Sequence, residues 1–247
     1  MRDYIMKKEN RATFNKSGNI KLGNTWNFST VYGDDIHTVD FNGEVLSARG
    51  TCGKHCKGCK NDCYVRKSYR YPSVVYSHIK NTIAMRVNVK AAFNDLAAAI
   101  EKARKKPDII RINQSGELES EKIFVMWCEL AAAFPNIKFW LYTKNYKAVT
   151  PALINNKVPD NMTVLFSVWH EFGIKEYKKV AHLDNVKAFV FEDNYNYKKH
   201  GVEIQTRCEA YKVINGKMQL NHNITCDKCK KCFNRSNKCQ VIGSLPH

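Results

Sequence analysis

Four cysteines, Cys52, Cys56, Cys59 and Cys63, fall within twelve residues, and Cys226, Cys229, Cys232 and Cys239 lie near the end of the chain. Thiols at this density call for a metal, a disulfide or a reason to be exposed. The segment around the first group is rich in glycine and lysine and offers an idle thiol no apolar shelter. Its glycines let a short backbone wrap an ion or a cluster, so metal binding is the expected chemistry.

The totals bound the setting. With 247 residues, 44% of them hydrophobic, the chain is long enough for one α/β domain with a sizeable core. No apolar run approaches the length of a membrane span and the first ten residues lack a secretory h-region, so a cytoplasmic protein without membrane contact is expected. In a reducing compartment ten cysteines favour a metal over cystines. The formal charge is +17. Two four-thiolate sites would bring it to roughly +13, still strongly basic. Arg49, Lys54, Lys57, Lys60, Arg66, Lys67 and Arg70 cluster near the first cysteines. They either compensate an anionic cluster or offer a docking face for nucleic acid. The interleaved tyrosines and cations of 64–71 suit stacking on a single strand, and equally suit a helix start packed on the domain.

The second cysteine group reads C-x₂-C-x₂-C with a later fourth ligand, Cys239, or with Cys208 in its place. Three ligands so spaced pack round one face of a [4Fe–4S] cube. Zinc, which favours two C-x₂-C knuckles from separated segments, is the alternative for this site. Cys128, within an apolar helical segment, reads as a core thiol.

The elements that must position these groups alternate. Short strands are expected at 26–28, 36–41 and 45–47, and helices at 74–85 and 89–105. Further strands are expected at 108–113, 138–143, 162–168, 186–191 and 202–206, separated by helices at 120–133, 147–155 and 174–182. Strand and helix in turn imply parallel strands with crossover helices. About six strands suit a partial (β/α) barrel or an open doubly wound sheet, with functional residues at the carboxyl ends. Residues 1–206 are expected to form this barrel with an N-terminal extension, and 207–247 a cysteine-rich appendage.

Several strand ends carry a resemblance. Cys52, Cys56 and Cys59 have the C-x₃-C-x₂-C spacing of the radical S-adenosylmethionine (SAM) enzymes, in a loop after a predicted strand. Ser115-Gly116-Glu117 resembles that superfamily's motif for the SAM amino group. Thr143 and Asn145 resemble its Thr-Asn turn, and Ser167 its ribose- or carboxylate-contacting serine. The resemblance implies a [4Fe–4S] cluster with one iron left open to SAM, and the tail group would hold a second cluster. Each piece has a plainer reading: Glu117 as a helix cap, Thr143 and Asn145 as a turn, Ser167 bonded to its own loop. Cys63 also stands within reach, and as a fourth ligand it would close the first cluster to SAM.

The segments Asn19-Ile-Lys-Leu-Gly23, Thr51-Cys52, Cys59-x₃-Cys63-Tyr64, Arg111-Ile-Asn-x-Ser-Gly-Glu117 and Phe139-Trp-Leu-Tyr-Thr143 together resemble the phage and bacterial gene product eighty-eight family. The tail run Cys208, Cys226, Cys229 and Cys232 fits as well. In that pattern Cys52, Cys59 and Cys63 are the matching trio and Cys56 is extra. The resemblance implies an iron–sulfur protein and supplies no substrate. Three functions follow as expectations: a radical SAM enzyme, an iron–sulfur protein exchanging electrons with a donor or acceptor, and a zinc-stapled nucleic-acid-binding protein.

Overall fold

A computed structural model describes residues 11–16, 22–53, 59, 63–169, 171, 173–191, 196–214, 217–235 and 239–244. The chain opens with two short strands, β1 (Asn15–Lys16) and β2 (Trp26–Phe28). A hairpin follows, β3 (Ile36–Phe41) and β4 (Glu44–Arg49), closed at Asn42-Gly43, where both φ angles are positive as a tight hairpin turn requires. Two helices come next, α1 (Pro72–Val87) and α2 (Val89–Glu101). The alternating part then runs β5 (Ile109–Ile112), α3 (Glu121–Ala133), β6 (Lys138–Thr143), α4 (Tyr146–Ile154), β7 (Met162–Val168), α5 (Ile174–Val180) and β8 (Val186–Phe191). The tail contributes β9 (Thr206–Arg207), a β10–β11 hairpin (Tyr211–Ile214, Lys217–Leu220), the short α6 (Cys226–Cys229) and β12 (Val241–Ser244).

One eight-stranded sheet holds the order β1-β2-β5-β6-β7-β8-β12-β9; seven strands are parallel and β1 runs antiparallel at one edge. From β2 to β8 the strands add in sequence order, always in the same direction. Right-handed crossovers then place every connecting helix on the same side. Burial bears this out: α1 to α5 pack through Met85, Leu96, Trp127, Val149 and Val180 against Phe28, Ile110, Leu141, Phe166 and Val190. The opposite face carries Ile109, Trp140, Leu165, Phe189 and Ile242, covered by Leu22 and Phe233. Covered on both faces, β7 is buried at all seven positions, in keeping with its mostly apolar sequence, Met-Thr-Val-Leu-Phe-Ser-Val.

The structure differs from these expectations at several points. The strand expected at 45–47 belongs to the β3–β4 hairpin, which packs on α1 through Val39, Ala48, Val75 and Ile79 and lies outside the main sheet. Of the 202–206 segment only the last residue lies in a strand, β9. The sheet has seven parallel strands where about six were expected, because β2, β12 and β9 join it; its edges β1 and β9 do not pair, so the described residues form no closed barrel. The expected boundary after residue 206 runs through β9, and β12 of the tail is inserted between β8 and β9.

Candidate metal centre

At the carboxyl ends of the parallel strands, on the face away from the helices, lies a cavity of about 550 Å³. Cys52, Cys59 and Cys63 border it on one side, and Cys208, Cys226, Cys229 and Cys232 on the other. Two groups more than 140 residues apart in sequence therefore face one space. The nine described cysteines are free thiols, with no disulfide among them. Cys56 lies outside the described residues. Cys239 is half-buried and does not border the cavity, so Cys208 is the better placed of the two candidates for the fourth tail position.

Backbone hydrogen bonds hold the first group at the rim. Thr51 N–H donates to Val31 O and Cys52 N–H to Gly33 O, both at 2.9 Å. Cys63 precedes a 3₁₀-helix, Tyr64–Arg70. Burial pushes its thiol pKa up, partly offset by the Val65 N–H. In the tail, α6 carries Cys226 and Cys229, and a left-handed Lys230 (φ 59°) turns the chain so that Cys232 follows onto the sheet. Burial, with Cys226, Cys208 and Cys229 nearby, pushes the Cys232 thiol up to about 12; its Sγ lies 3.2 Å from the Tyr142 hydroxyl.

The sheet supplies cations here. Arg111, on β5, lies 5.0 Å from the Trp140 ring centre and 5.1 Å from that of Tyr142. Its Nε is buried with no hydrogen-bond partner among the described residues. Burial works against its charge, but Tyr64, Tyr142, Cys226 and Cys232 more than offset that and raise its pKa. Lys187, only 1% exposed, donates to Lys231 O at 2.7 Å and Asn234 O at 2.9 Å, behind Cys232 and Cys239. Neither cation was singled out from sequence. The available signal was a charge inside an otherwise apolar strand run, Ile-Ile-Arg-Ile and Val-Lys-Ala-Phe-Val.

Of the residues expected to hold SAM, Ser115, Gly116, Glu117, Thr143 and Ser167 border the same cavity, and Asn145 does not. Several are already engaged in hydrogen bonds. Glu117 Oε1 accepts from Thr143 Oγ1 at 2.7 Å and Leu118 N at 2.9 Å, and its Oε2 from Lys144 N at 2.7 Å. Ser115 Oγ donates to Thr30 O, and Asn145 Nδ2 to Leu118 O. Gly116 sits at φ 77° with its α-carbon against two hydroxyls; an added Cβ would lie 2.0 Å from Thr30 Oγ1 and 2.6 Å from Thr51 Oγ1. Ser120, and not Glu117, caps α3, accepting from Ile123 N at 3.3 Å. The set ties the ends of β5 and β6 to the loop that carries Cys52.

No three His, Cys, Asp or Glu side chains among the described residues converge as one metal ion requires. A tetrahedral zinc site draws its sulfurs to about 3.8 Å apart, the edge set by Zn–S bonds of about 2.3 Å. A cube of four irons spreads its thiolates around a body. A thiol-walled cavity bordered by a half-buried guanidinium whose Nε lacks a hydrogen-bond partner among the described residues fits such a group.

The fold and this cavity define an α/β protein with a cysteine-lined pocket at the carboxyl ends of a parallel sheet. The family model for gene product 88 matches residues 5–235, and the chain belongs to that family. No curated protein and no solved structure matches it.

Proposed function

We propose that this chain is an iron–sulfur protein whose sheet forms the wall of an open (β/α) barrel. Cys208, Cys226, Cys229 and Cys232 would hold one [4Fe–4S] cluster. Cys52, Cys59 and Cys63 would hold a second, with Cys56 as a further candidate ligand. The observation that carries the reading is the meeting of both cysteine groups at one cavity that Arg111, half-buried and with an Nε unpartnered among the described residues, also borders. When bound, such clusters supply one-electron transfer. The chain's own residues hold the thiolates in place, exclude water through Trp140, Phe189 and Phe233, and counter negative charge through Arg111.

Electron transfer is favoured over SAM chemistry because the Glu117 carboxylate, which SAM binding would need for an amine, is already occupied by three donors. The SAM reading keeps one supporting observation, that five of its six expected residues border the cavity beside Cys52, Cys59 and Cys63. Anaerobic purification followed by metal and sulfide analysis tests the proposal. About eight irons and as many acid-labile sulfides per chain are expected for two clusters; a colourless protein containing only zinc overturns it. Adding SAM to the reduced protein should leave its electron paramagnetic resonance spectrum unchanged, and a new signal would shift the reading to the SAM enzyme.

A further inference from the structure

We propose that Arg111 is the counter-charge of the tail cluster and raises its reduction potential. The inference rests on the cluster reading above. Arg111 projects from the cavity face of β5, its guanidinium stacked against Trp140 and Tyr142, and Tyr142 reaches Cys232 Sγ at 3.2 Å. Among the described residues it makes no ion pair, and its Nε has no acceptor. Its Nε is shut off from solvent without an acceptor while the half-buried side chain borders the cavity, an arrangement that an anion in the cavity would complete. Lys187 is the contrasting case, since two carbonyls already satisfy its ammonium group.

Four thiolates on a [4Fe–4S] core leave a net negative charge. Taking up one electron converts one ferric iron to ferrous, breaks no bond, moves no proton and adds one negative charge. A fixed cation at this range stabilises the reduced form more than the oxidised one, and low dielectric strengthens the effect. The rings of Trp140 and Tyr142 hold that charge in place without neutralising it.

The test is a dye-mediated redox titration of the reconstituted full chain with dithionite as electron donor. Paramagnetic resonance follows the signal, and its loss in Cys232→Ser assigns it to the tail. In Arg111→Gln the ratio of reduced to oxidised cluster at a fixed potential should fall at least tenfold, which is about 59 mV for one electron. Arg111→Lys should recover most of the shift, and Lys122→Gln, an exposed change on α3, should leave the midpoint in place. If Arg111→Gln cannot be loaded but Arg111→Lys can, the charge is still the deciding property and the inference stands. An unchanged midpoint in Arg111→Gln, or loss of the cluster in both variants, overturns it. A wild-type chain that holds no iron and sulfide would instead remove the cluster reading itself.

Discussion

Cys232 lies against Tyr142, and Phe233 beside it packs on Trp140 at a ring separation of 5.6 Å, within a cluster that includes Leu165, Phe189 and Ile242. Cys63, across the cavity, precedes a 3₁₀-helix whose one buried residue is Val65, beside a lobe built on a two-stranded hairpin. The residue type is the same and the foundations differ. The tail cysteines are part of the cover over one face of the main sheet, whereas the first group hangs from loops at its rim. A group held at the tail would therefore be tied to the stability of the whole fold. At the rim it would be tied to a lobe that can be perturbed alone. Domains open locally in this graded way, with loop-borne sites at the weaker end.

The strongest way to break the comparison is to remove a ligand on each side. On the proposed two-cluster reading, an iron chelator should lower the melting temperature of the wild-type chain, and Cys232→Ser should abolish both the tail cluster and that fall, because folding and ligation would be linked there. Cys63→Ser should reduce the iron content yet leave most of that fall in place. Iron analysis with calorimetry, before and after chelation, distinguishes the two. Equal stability losses from both variants would mean that the rim is as deeply built in as the tail.

Next in size is the apolar support. Phe233→Ala removes a ring that is 6% exposed, and losses of about 3–5 kcal/mol follow buried Phe→Ala changes. Val65→Ala, under the first group, removes two methyl groups from a buried site on a 3₁₀-turn and should cost about 1–2 kcal/mol. Urea unfolding measures both. If the two losses are alike, the distinction between core-borne and loop-borne cysteines fails.

Acid should separate the regions too. His78 on α1 is buried beside Tyr69, whose hydroxyl lies 3.3 Å from its Nδ1, and burial pushes its pKa down to about 4 from the ordinary 6.5. Between those values the unfolded chain binds a proton that the folded chain refuses. The contribution is thus complete above pH 6.5 and is lost as the pH falls toward 4, by up to about 3 kcal/mol. Hydrogen exchange at pH 4.5 should show the hairpin and α1 opening before β6 and β7. Simultaneous opening would tell against a separately labile lobe.

The alternating sheet was legible because β5 to β8 are covered on both faces and so appear as apolar runs at regular spacing. Trp26–Phe28 is legible as a strand, but its partner β5 lies more than eighty residues onward, a pairing that periodicity does not encode. Val45–Ser47 was counted as strand and is one, in a hairpin set apart. The cysteines were visible from their spacing alone. That both groups face one cavity was not, since this depends on β12 entering between β8 and β9 and drawing the tail over the sheet. Ser115, Glu117 and Thr143 were placed at the right strand ends. The Glu117–Thr143 bond and the Ser115–Thr30 bond are tertiary facts that no local motif reports.

The smallest predicted effect concerns how the tail is fastened. Asp227, the residue after Cys226, accepts from Asn24 N at 3.1 Å and from the Thr225 hydroxyl, bridging the loop before β2 to α6. Burial alone would raise its pKa, yet the Thr225, Asn24 and Lys228 hydrogen bonds hold it below the usual carboxylate value. The loop can approach because Gly23, at φ 65°, has no side chain; an added Cβ would lie 2.1 Å from Asp227 Oδ1. Asp227→Ala removes these acceptors from a partly exposed site and should cost about 1 kcal/mol in urea unfolding. Its sharper signature is kinetic: iron should leave the tail faster under chelation in Asp227→Ala, with the first group's rate unchanged. If both groups lose iron at wild-type rates, the clasp does not secure the tail, and the packing of Phe233 on Trp140 holds the cover by itself.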